Sequence, residues 1–300
     1  MPEEGEDVHI LPGMNMIFNM NPSPVYRLVR VNGNLTFDNT TDTHFKCKHL
    51  FIRAGEVHIG SEDYPMQKNA RITLFGEKDA VSIVYDNAVE AGNKIIANIN
   101  KLRVYGMPRG WKMTRLTAPA LRNSSEFFIE PYLDVRVGDR LGLLPTSYDP
   151  HTIDDVFVTS YDNATGKVTI NTTLQWYHWG QSTSTADIYR GLDIRGEVLL
   201  LTRNIKIDAE DVESWGGQIL TGDTIEIDGN NQIMRSGSTI LQNVEIFNCS
   251  QIDTDRAALR FVSAKKKYSE IINCTVHNGY GWGVTIDKSS NILIKNTTVF

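Results

Sequence analysis

The stretch LVRVNGNLTF at residues 28–37 contains a short strand, a polar glycine turn and a second short strand. The pattern returns in FIRAGEVHIG at 51–60, after 23 residues, and in IANINKLRVY at 96–105, after a further 45 residues. A period of roughly 20–25 residues built from short strands is typical of a solenoid, because one repeat cannot bury its apolar face alone. The pattern therefore predicts stacked parallel coils from 25 to 106.

The alignment of these repeats also predicts which side chains face the interior. Leu28, Phe51 and Ile96 open the three repeats, so we expect them to share one core. Gly33 and Gly55 stand at the turns of the first two repeats. Glycine at a coil corner permits a positive φ or a close approach of two backbones.

The same kind of repeat returns near the C-terminus, in NVEIFNC at 243–249, SEIINC at 269–274 and NILIKNT at 291–297. These segments superpose with steps of 25 and 23 residues. Parallel coils are therefore expected again over about 194–300.

The superposition places Cys249 above Cys274 on neighbouring coils. Neighbouring parallel strands lie about 4.8 Å apart, which is within the Cα range of a disulfide. We expect a Cys249–Cys274 disulfide, with a stack of buried thiols as the alternative. Cys47 is then left over, and it is either buried or paired outside this chain.

Three asparagines, Asn248, Asn273 and Asn296, fall in register in the same superposition. Each belongs to an Asn-x-Ser/Thr sequon. They could accept glycans, or they could form an inward ladder of amides along the stack. We favour the ladder for these three.

The region between the two coil regions has a different pattern. Short apolar strands at 127–130, 140–144, 156–158 and 167–170 follow one another at close intervals, joined by compact turns. This spacing predicts a small antiparallel barrel or sandwich over 116–180.

Composition limits the possible partners and compartments. The chain has 300 residues and a formal charge of −6, and its only basic run is Lys265–Lys267, so a nucleic-acid partner is not expected. No stretch reaches the roughly 18 apolar residues of a membrane span, so we expect no membrane contact within this segment. Three cysteines and no recognisable ligand spacing predict neither a metal site nor a cofactor.

The sequons favour an extracellular or cell-surface protein, although residues 1–7 do not resemble a signal peptide, so we expect a trimmed chain. We expect glycans at five sequons near turns: Asn34, Asn39, Asn123, Asn163 and Asn171.

Several motifs, in this order, resemble the eight-glycine (G8) domain of the fibrocystin family. They are VNGNLTF (31–37), GSEDYP (60–65), ITLFG (72–76), WKMTRL (111–116), VGD (137–139), YHWG (177–180) and RGEVLLLTRNI (195–205). The resemblance implies a G8 domain over 8–207, followed over 208–300 by parallel β-helix repeats that are truncated at the C-terminus. The expected fold is all-β: a right-handed, pectin-lyase-like parallel β-helix with a small antiparallel β-barrel or sandwich inserted or docked.

Some members of the G8 family degrade hyaluronan, and the resemblance implies which positions would carry that activity here. Arg195 matches their arginine, Glu213 matches an acidic position, and Gln218, Leu259 and Phe261 stand where they have histidines. Imidazole exchanges a proton near neutral pH, whereas these three side chains cannot. We therefore expect no catalytic residues; in the alternative of a hyaluronan-degrading enzyme, Arg195 and Glu213 would be the candidates.

Two further residues have a structural and a functional interpretation. His178 is expected to be a packed, hydrogen-bonded core histidine and not a catalytic one, and Trp215 a plug at a coil end and not a platform for a sugar. The sequence thus predicts a non-catalytic structural or adhesive surface glycoprotein. Its expected partners are other copies of itself or extracellular glycans and proteins, which includes carbohydrate binding.

Overall fold

The computed structural model describes residues 2–80, 82–85, 89–180 and 193–300 and separates the chain into two compact units. The coil unit comprises Met1–Pro108 and Arg203–Phe300, and the barrel unit comprises Arg109–Thr202. The described residues form strands, turns and loops, so the chain is all-β as predicted. None of them belongs to a helix of the length and apolarity needed to cross a membrane.

The first part of the coil unit contains β1 (Asp7–Ile10), β2 (Asn15–Phe18), β3 (Val25–Val31), β4 (Asn34–Phe37), β5 (Thr43–Ile52), β6 (Glu56–Ile59), β7 (Ala70–Leu74), β8 (Ile83–Tyr85), β9 (Val89–Gly92), β10 (Ile95–Asn98) and β11 (Lys101–Tyr105). The barrel unit contains β12 (Met113–Arg115), β13 (Glu126–Phe128), β14 (Arg140–Leu143), β15 (Asp154–Asp162), β16 (Lys167–Ile170) and β17 (Glu197–Leu200). The second part of the coil unit contains β18 (Ile205–Ala209), β19 (Gln218–Asp228), β20 (Asn231–Ser236), β21 (Ser238–Gln242), β22 (Val244–Phe247), β23 (Leu259–Val262), β24 (Ser269–Ile272), β25 (Thr275–His277), β26 (Val284–Asp287), β27 (Ile292–Lys295) and β28 (Thr298–Val299).

The coil unit is built from curled parallel sheets. One sheet has the order β2-β4-β6-β11-β21-β24-β27, with every neighbouring pair parallel. A larger sheet turns a corner at β5, whose first half pairs with β7 and whose second half pairs with β3 and β10. Successive turns of the chain therefore stack on each other in parallel, and an apolar core fills the space between the sheets.

The register of the coils differs from the alignment of the repeats by one residue at Ile96 and by two residues at Leu28. Phe51 pairs with Ala97 instead of Ile96, and with Arg30 instead of Leu28. A slip of one residue turns a side chain to the opposite face of a strand. Leu28 and Phe51 therefore pack in a separate apolar cluster on the outer face of the sheet, whereas Ile96 lies in the main core. The common core expected for these three side chains is wrong, although the stacking itself is present.

The positions of two cysteines also differ from those that the superposition of the C-terminal repeats predicts. Cys249 follows β22 and Cys274 follows β24, and these strands belong to different sheets. Cys249 forms a β-bridge with Gly217, whereas the Sγ of Cys274 lies 3.4 Å from the backbone oxygen of Leu241. Both residues, like Cys47, are buried free thiols, so the predicted disulfide is wrong. The superposition aligned strands of different sheets, because strands on different faces of one coil have similar sequences.

We expect all three thiols to be unreactive in the folded protein. Burial raises the pKa of Cys274 to about 12 and raises those of Cys47 and Cys249 as well, so almost no reactive thiolate forms near neutral pH. A colorimetric thiol reagent at pH 8 should detect no thiol in the native protein and three after unfolding, without any reductant. Detection of only one thiol in the unfolded, unreduced protein would restore the disulfide.

The asparagines expected to form one ladder occupy two separate columns. Asn273 and Asn296 follow the paired strands β24 and β27, whereas Asn248 follows β22 and is in register with Asn278 after β25. All four have φ between 51° and 56°, in the left-handed region. Asparagine adopts this conformation more readily than most residues, so these asparagines serve as corner residues of the coils.

The barrel unit is an antiparallel sheet in the order β12-β17-β14-β15-β16-β13. Just beyond its two edge strands, Leu116 and Ile129 form an antiparallel bridge that joins the edges. The unit has an apolar core of its own, which includes Phe127, Leu141 and Val168. The short strands and compact turns recognised in the sequence thus form a small antiparallel barrel.

Candidate functional site

The candidate site is the corner of the coil unit where β19 and β23 begin. The three positions that the family resemblance matches to histidines lie on these strands. Leu259 and Phe261 lie on β23, and each is only 1% exposed within the main core. Their side chains point inward because alternate residues of a strand share one face. Two of the positions matched to histidines are therefore packing positions in this chain.

Gln218, the third such position, is fully buried at the start of β19. Its Nε2 donates to the backbone oxygens of Ala91 at 3.1 Å and Asn93 at 3.2 Å, and its Oε1 accepts from Arg260 at 3.1 Å. Both ends of the amide are thus engaged, as a buried polar group requires. Gln218 holds neighbouring coils together and can neither donate nor accept a proton in catalysis.

Three more side chains join Gln218 in a buried network that we call the amide corner (Asn93, Trp215, Gln218 and Gln251). Trp215 is 5% exposed, and its indole N–H donates to the Oδ1 of Asn93 at 2.7 Å. Gln251 donates to the backbone oxygens of Asn93 at 3.2 Å and Gly216 at 3.1 Å. The corner ties three successive coils together, and Trp215 is a buried part of it.

Lys94, next to the amide corner, is a structural residue that the sequence analysis did not identify. It is fully buried, has φ 54°, and its Nζ donates to the backbone oxygens of Glu210 at 2.5 Å and Trp215 at 2.7 Å. Burial lowers the pKa of the ammonium, although nearby acidic groups oppose this. No local pattern marks this lysine, because its partners are more than 100 residues away in the chain.

The two residues that would serve an enzyme have different surroundings. Glu213 is an exposed residue of the loop before Trp215, with φ 54°. Arg195 belongs to the barrel unit, where it pairs with Asp193 at 2.8 Å and with Glu130 at 3.0 Å. Hydrogen bonding from Arg195 lowers the pKa of Asp193 to about 2. The carboxylate partners of Arg195 are thus Asp193 and Glu130, both residues of the barrel unit.

The barrel unit contains a buried histidine–aspartate pair. The Nε2 of His178 lies 2.8 Å from the Oδ2 of Asp154, and its Nδ1 lies 2.9 Å from the backbone oxygen of Leu144. Asp154 also accepts the backbone N–H groups of Gln175 at 2.7 Å and Trp176 at 3.0 Å. His178 is fully buried and Asp154 is 3% exposed. The histidine is a packed, hydrogen-bonded core residue, because both ring nitrogens have partners inside the barrel.

The stability of the barrel unit should decrease in acid because of this pair. Burial alone would raise the pKa of Asp154, but hydrogen bonds from His178, Gln175 and Trp176 outweigh it and lower the pKa. A lowered carboxyl pKa stabilises the folded state above the unfolded pKa of about 4, and this stabilisation is lost as the pH falls through the folded pKa. Asp154→Asn should therefore lower the free energy of unfolding, measured with urea, by less at pH 3 than at pH 6. An equal cost at both values would contradict the lowered pKa.

Comparison with known proteins places part of this architecture in a family. A model of the G8 domain matches residues 1–117. Over the whole chain, mouse fibrocystin is 26% identical and human fibrocystin-L is 22% identical. The chain spans only 7% and 8% of the lengths of these two relatives.

Solved structures give weaker similarities. The tailspike protein gp49 from Pseudomonas phage LKA1 is 10% identical, with a TM-score of 0.28 over 95% of this chain and 37% of the tailspike. The Gp54 tailspike of Acinetobacter baumannii bacteriophage AP22, solved with a capsular saccharide, is 11% identical, with a TM-score of 0.28 over 98% of this chain and 41% of that protein. The family model and the two fibrocystin relatives identify residues 1–117 as a G8 domain, within a chain that is homologous along its whole length to a segment of fibrocystin and fibrocystin-L.

Proposed function

We propose that this chain is a non-catalytic, extracellular structural segment of a cell-surface glycoprotein. In this proposal the coil unit is a parallel β-helix of the pectin-lyase type, and the barrel unit is inserted in the chain between its two parts. The observation that carries the proposal is the amide corner, because buried amides and an indole occupy the place where the resemblance would locate catalytic groups.

The chemistry of glycoside cleavage supports this reading. Cleavage needs a proton donor at the leaving oxygen and a second group that attacks or stabilises the sugar. Leu259 and Phe261 lie in the core, and the amide of Gln218 is neither an acid nor a base near neutral pH. Glu213 is exposed, and the nearby carboxylate of Asp211 accepts a hydrogen bond from Tyr280. This corner holds coils in register, which suits a rigid spacer.

The proposed mechanical role follows from the direction of the hydrogen bonds. In stacked parallel coils the backbone bonds join one coil to the next, so a force along the stack acts on many bonds at once. Such a rod would hold other domains, copies of the same chain or extracellular glycans at a defined distance. Adhesion to such partners is part of the proposal, as is the location outside the cell.

The proposal is tested with high-molecular-weight hyaluronan. The purified chain is incubated with the polymer, with and without calcium, and the polymer length is followed on a gel. We expect no change over a time in which a hyaluronidase control degrades the polymer completely. Depolymerisation that is lost in a folded Glu213→Gln variant would overturn the proposal in favour of the alternative, a hyaluronan-degrading enzyme of the G8 type.

Exposure of the sequons leads to a prediction about glycosylation. Asn123, Asn163 and Asn171 are exposed in the barrel unit, so an attached glycan would extend into solvent. Asn39 is half-buried, with its amide bound to the backbone of Pro65 and Gln67, and the Oδ1 of Asn273 is buried. After secretion from animal cells, peptide mass spectrometry should find glycans at the first three sites and little at Asn39 or Asn273. Full occupancy of Asn273 with an empty Asn163 would contradict this.

A further inference from the structure

A pocket of about 260 Å³ lies on the outer face of the coil unit, above β19 and β23. Its floor is apolar and consists of Ile99, Leu220 and Val262. Arg260 is in register with Leu220, so its guanidinium projects on this outer face, whereas Leu259 and Phe261 on the same strand face the core. The pocket therefore combines one cation with an apolar surface.

The charge of Arg260 is only partly compensated by neighbouring groups. Its side chain is 11% exposed, and its nitrogens donate to the Oε1 of Gln218 at 3.1 Å and to Asp255 at 3.4 Å. Asp255 is itself 84% exposed, and the pair is long. Burial lowers the pKa of Arg260, and the attraction of Asp255 opposes this effect. A guanidinium has five N–H donors, so a carboxylate could add the hydrogen bonds and the charge that a desolvated arginine needs.

The acidic residues of the pocket limit the charge of a ligand. Glu90 and Asp223 line the pocket, together with the hydroxyl-bearing residues Thr224 and Ser263. The Oδ2 of Asp223 accepts the backbone N–H groups of Lys265 at 2.8 Å and Lys266 at 3.0 Å, so this carboxylate is held in place. The carboxylates of Glu90 and Asp223 would repel a dianion such as a phosphate ester more strongly than a ligand with a single negative charge, which can still pair with Arg260.

The volume limits the size of a ligand. It exceeds the roughly 150 Å³ cavity that holds a benzene molecule and lies below the range of about 300–1,000 Å³ for drug-sized ligands. A ligand with one ring or a branched chain of similar size is appropriate.

We propose that this pocket binds a small monocarboxylate with an apolar body. The carboxylate pairs with Arg260, and the body lies on Leu220 and Val262, with Ile99 beneath it. This binding site is independent of the proposed structural role, because it requires neither catalysis nor its absence.

The test uses cyclohexanecarboxylate and its uncharged analogue cyclohexanecarboxamide with the full chain, followed by titration of methyl signals in NMR spectra. We expect saturable shifts of the Leu220 and Val262 methyls, with a dissociation constant on the order of 1 mM, and at least 10-fold weaker binding of the amide. Arg260→Gln should weaken binding of the carboxylate at least 10-fold. Val262→Phe, which fills the pocket with its arginine intact, should abolish binding.

Arg30→Gln is the matched control, because Arg30 is an arginine in the same row of the same outer face, two strands beyond Ala97, and does not line the pocket. Its affinity for the carboxylate should equal that of the unchanged chain. The proposal would be overturned by equal binding of the acid and the amide, or by retained affinity in a folded Arg260→Gln variant. It would also be overturned if no saturable shift occurred at a ligand concentration 20-fold above the expected dissociation constant. If Arg260→Gln does not fold, the comparison of the acid with the amide and the binding of the acid to Val262→Phe still test the proposal.

Discussion

Replacement of His178 by alanine should destabilise the barrel unit by roughly 3–5 kcal/mol, because a buried carboxylate loses a hydrogen-bond partner and the removed ring leaves a cavity. The carboxylate of Asp154 would remain buried without its ring partner, and the backbone oxygen of Leu144 would lose its contact with the ring as well. The cavity left by the imidazole adds to the loss, because a packed core cannot collapse fully around it.

The measurement is urea unfolding of the full chain, with tryptophan fluorescence to follow the barrel unit, which contains Trp111, Trp176 and Trp179. His151→Ala is the matched control, because His151 is an exposed histidine of the same unit and should change the free energy of unfolding by less than about 0.5 kcal/mol. A loss below about 1 kcal/mol for His178→Ala would show that the pair contributes little. The double variant with Asp154→Ala should lower the free energy of unfolding by less than the sum of the two single changes, because both remove the same interaction.

Gly55→Ala should destabilise the coil unit by about 3 kcal/mol or more, the upper part of the range for overpacked sites. A Cβ on Gly55 would lie 1.8 Å from the backbone oxygen of Gly33 and 2.7 Å from the backbone carbon of Asn32. These backbone atoms cannot move aside easily. The Gly33 oxygen accepts the N–H of Glu56 at 3.0 Å, and the Gly33 N–H donates to Ile10 at 3.1 Å, so the turns of three coils are fastened together.

Gly281→Ala provides the comparison, because a Cβ there meets its nearest atom at 3.4 Å, an ordinary contact, and its φ is outside the left-handed region. It should shift the melting temperature of the chain by a small fraction of the shift caused by Gly55→Ala. Equal, small shifts for both variants would mean that the coils can separate at this corner without cost, against the close stacking described above.

Much of the architecture depends on local features, and these could be predicted from the sequence. The period of short strands between residues 28 and 105 indicated stacked coils, and the close spacing of strands over 116–180 indicated an antiparallel barrel. The corner role of Gly55 was also predictable, since turn geometry depends on a few neighbouring residues. The resemblance to the G8 domain rested on the same short motifs.

The candidate site was predictable only in part. The residue types alone show that the side chains of Gln218, Leu259 and Phe261 have no acid–base chemistry near neutral pH. Their roles as a network member and as core residues did need one, since Gln218 binds the backbone at Ala91 and Asn93, more than 120 residues earlier. The partners of Arg195 and the position of Arg260 above an apolar floor likewise could not be read from the order of residues.

The sequence by itself determined the all-β class, the repeated coils, the corner glycines and the absence of imidazoles at the matched positions. The tertiary structure alone decided the register, and hence that Cys249 and Cys274 stay apart and that Phe51 faces outward. The physical reason is that coils vary in length. Glu245 pairs with Thr275, an offset of 275 − 245 = 30 residues, whereas Glu270 pairs with Leu293, an offset of 293 − 270 = 23. Corner loops absorb such differences at little energetic cost, so only the packing of apolar side chains in the assembled stack determines which strands become neighbours.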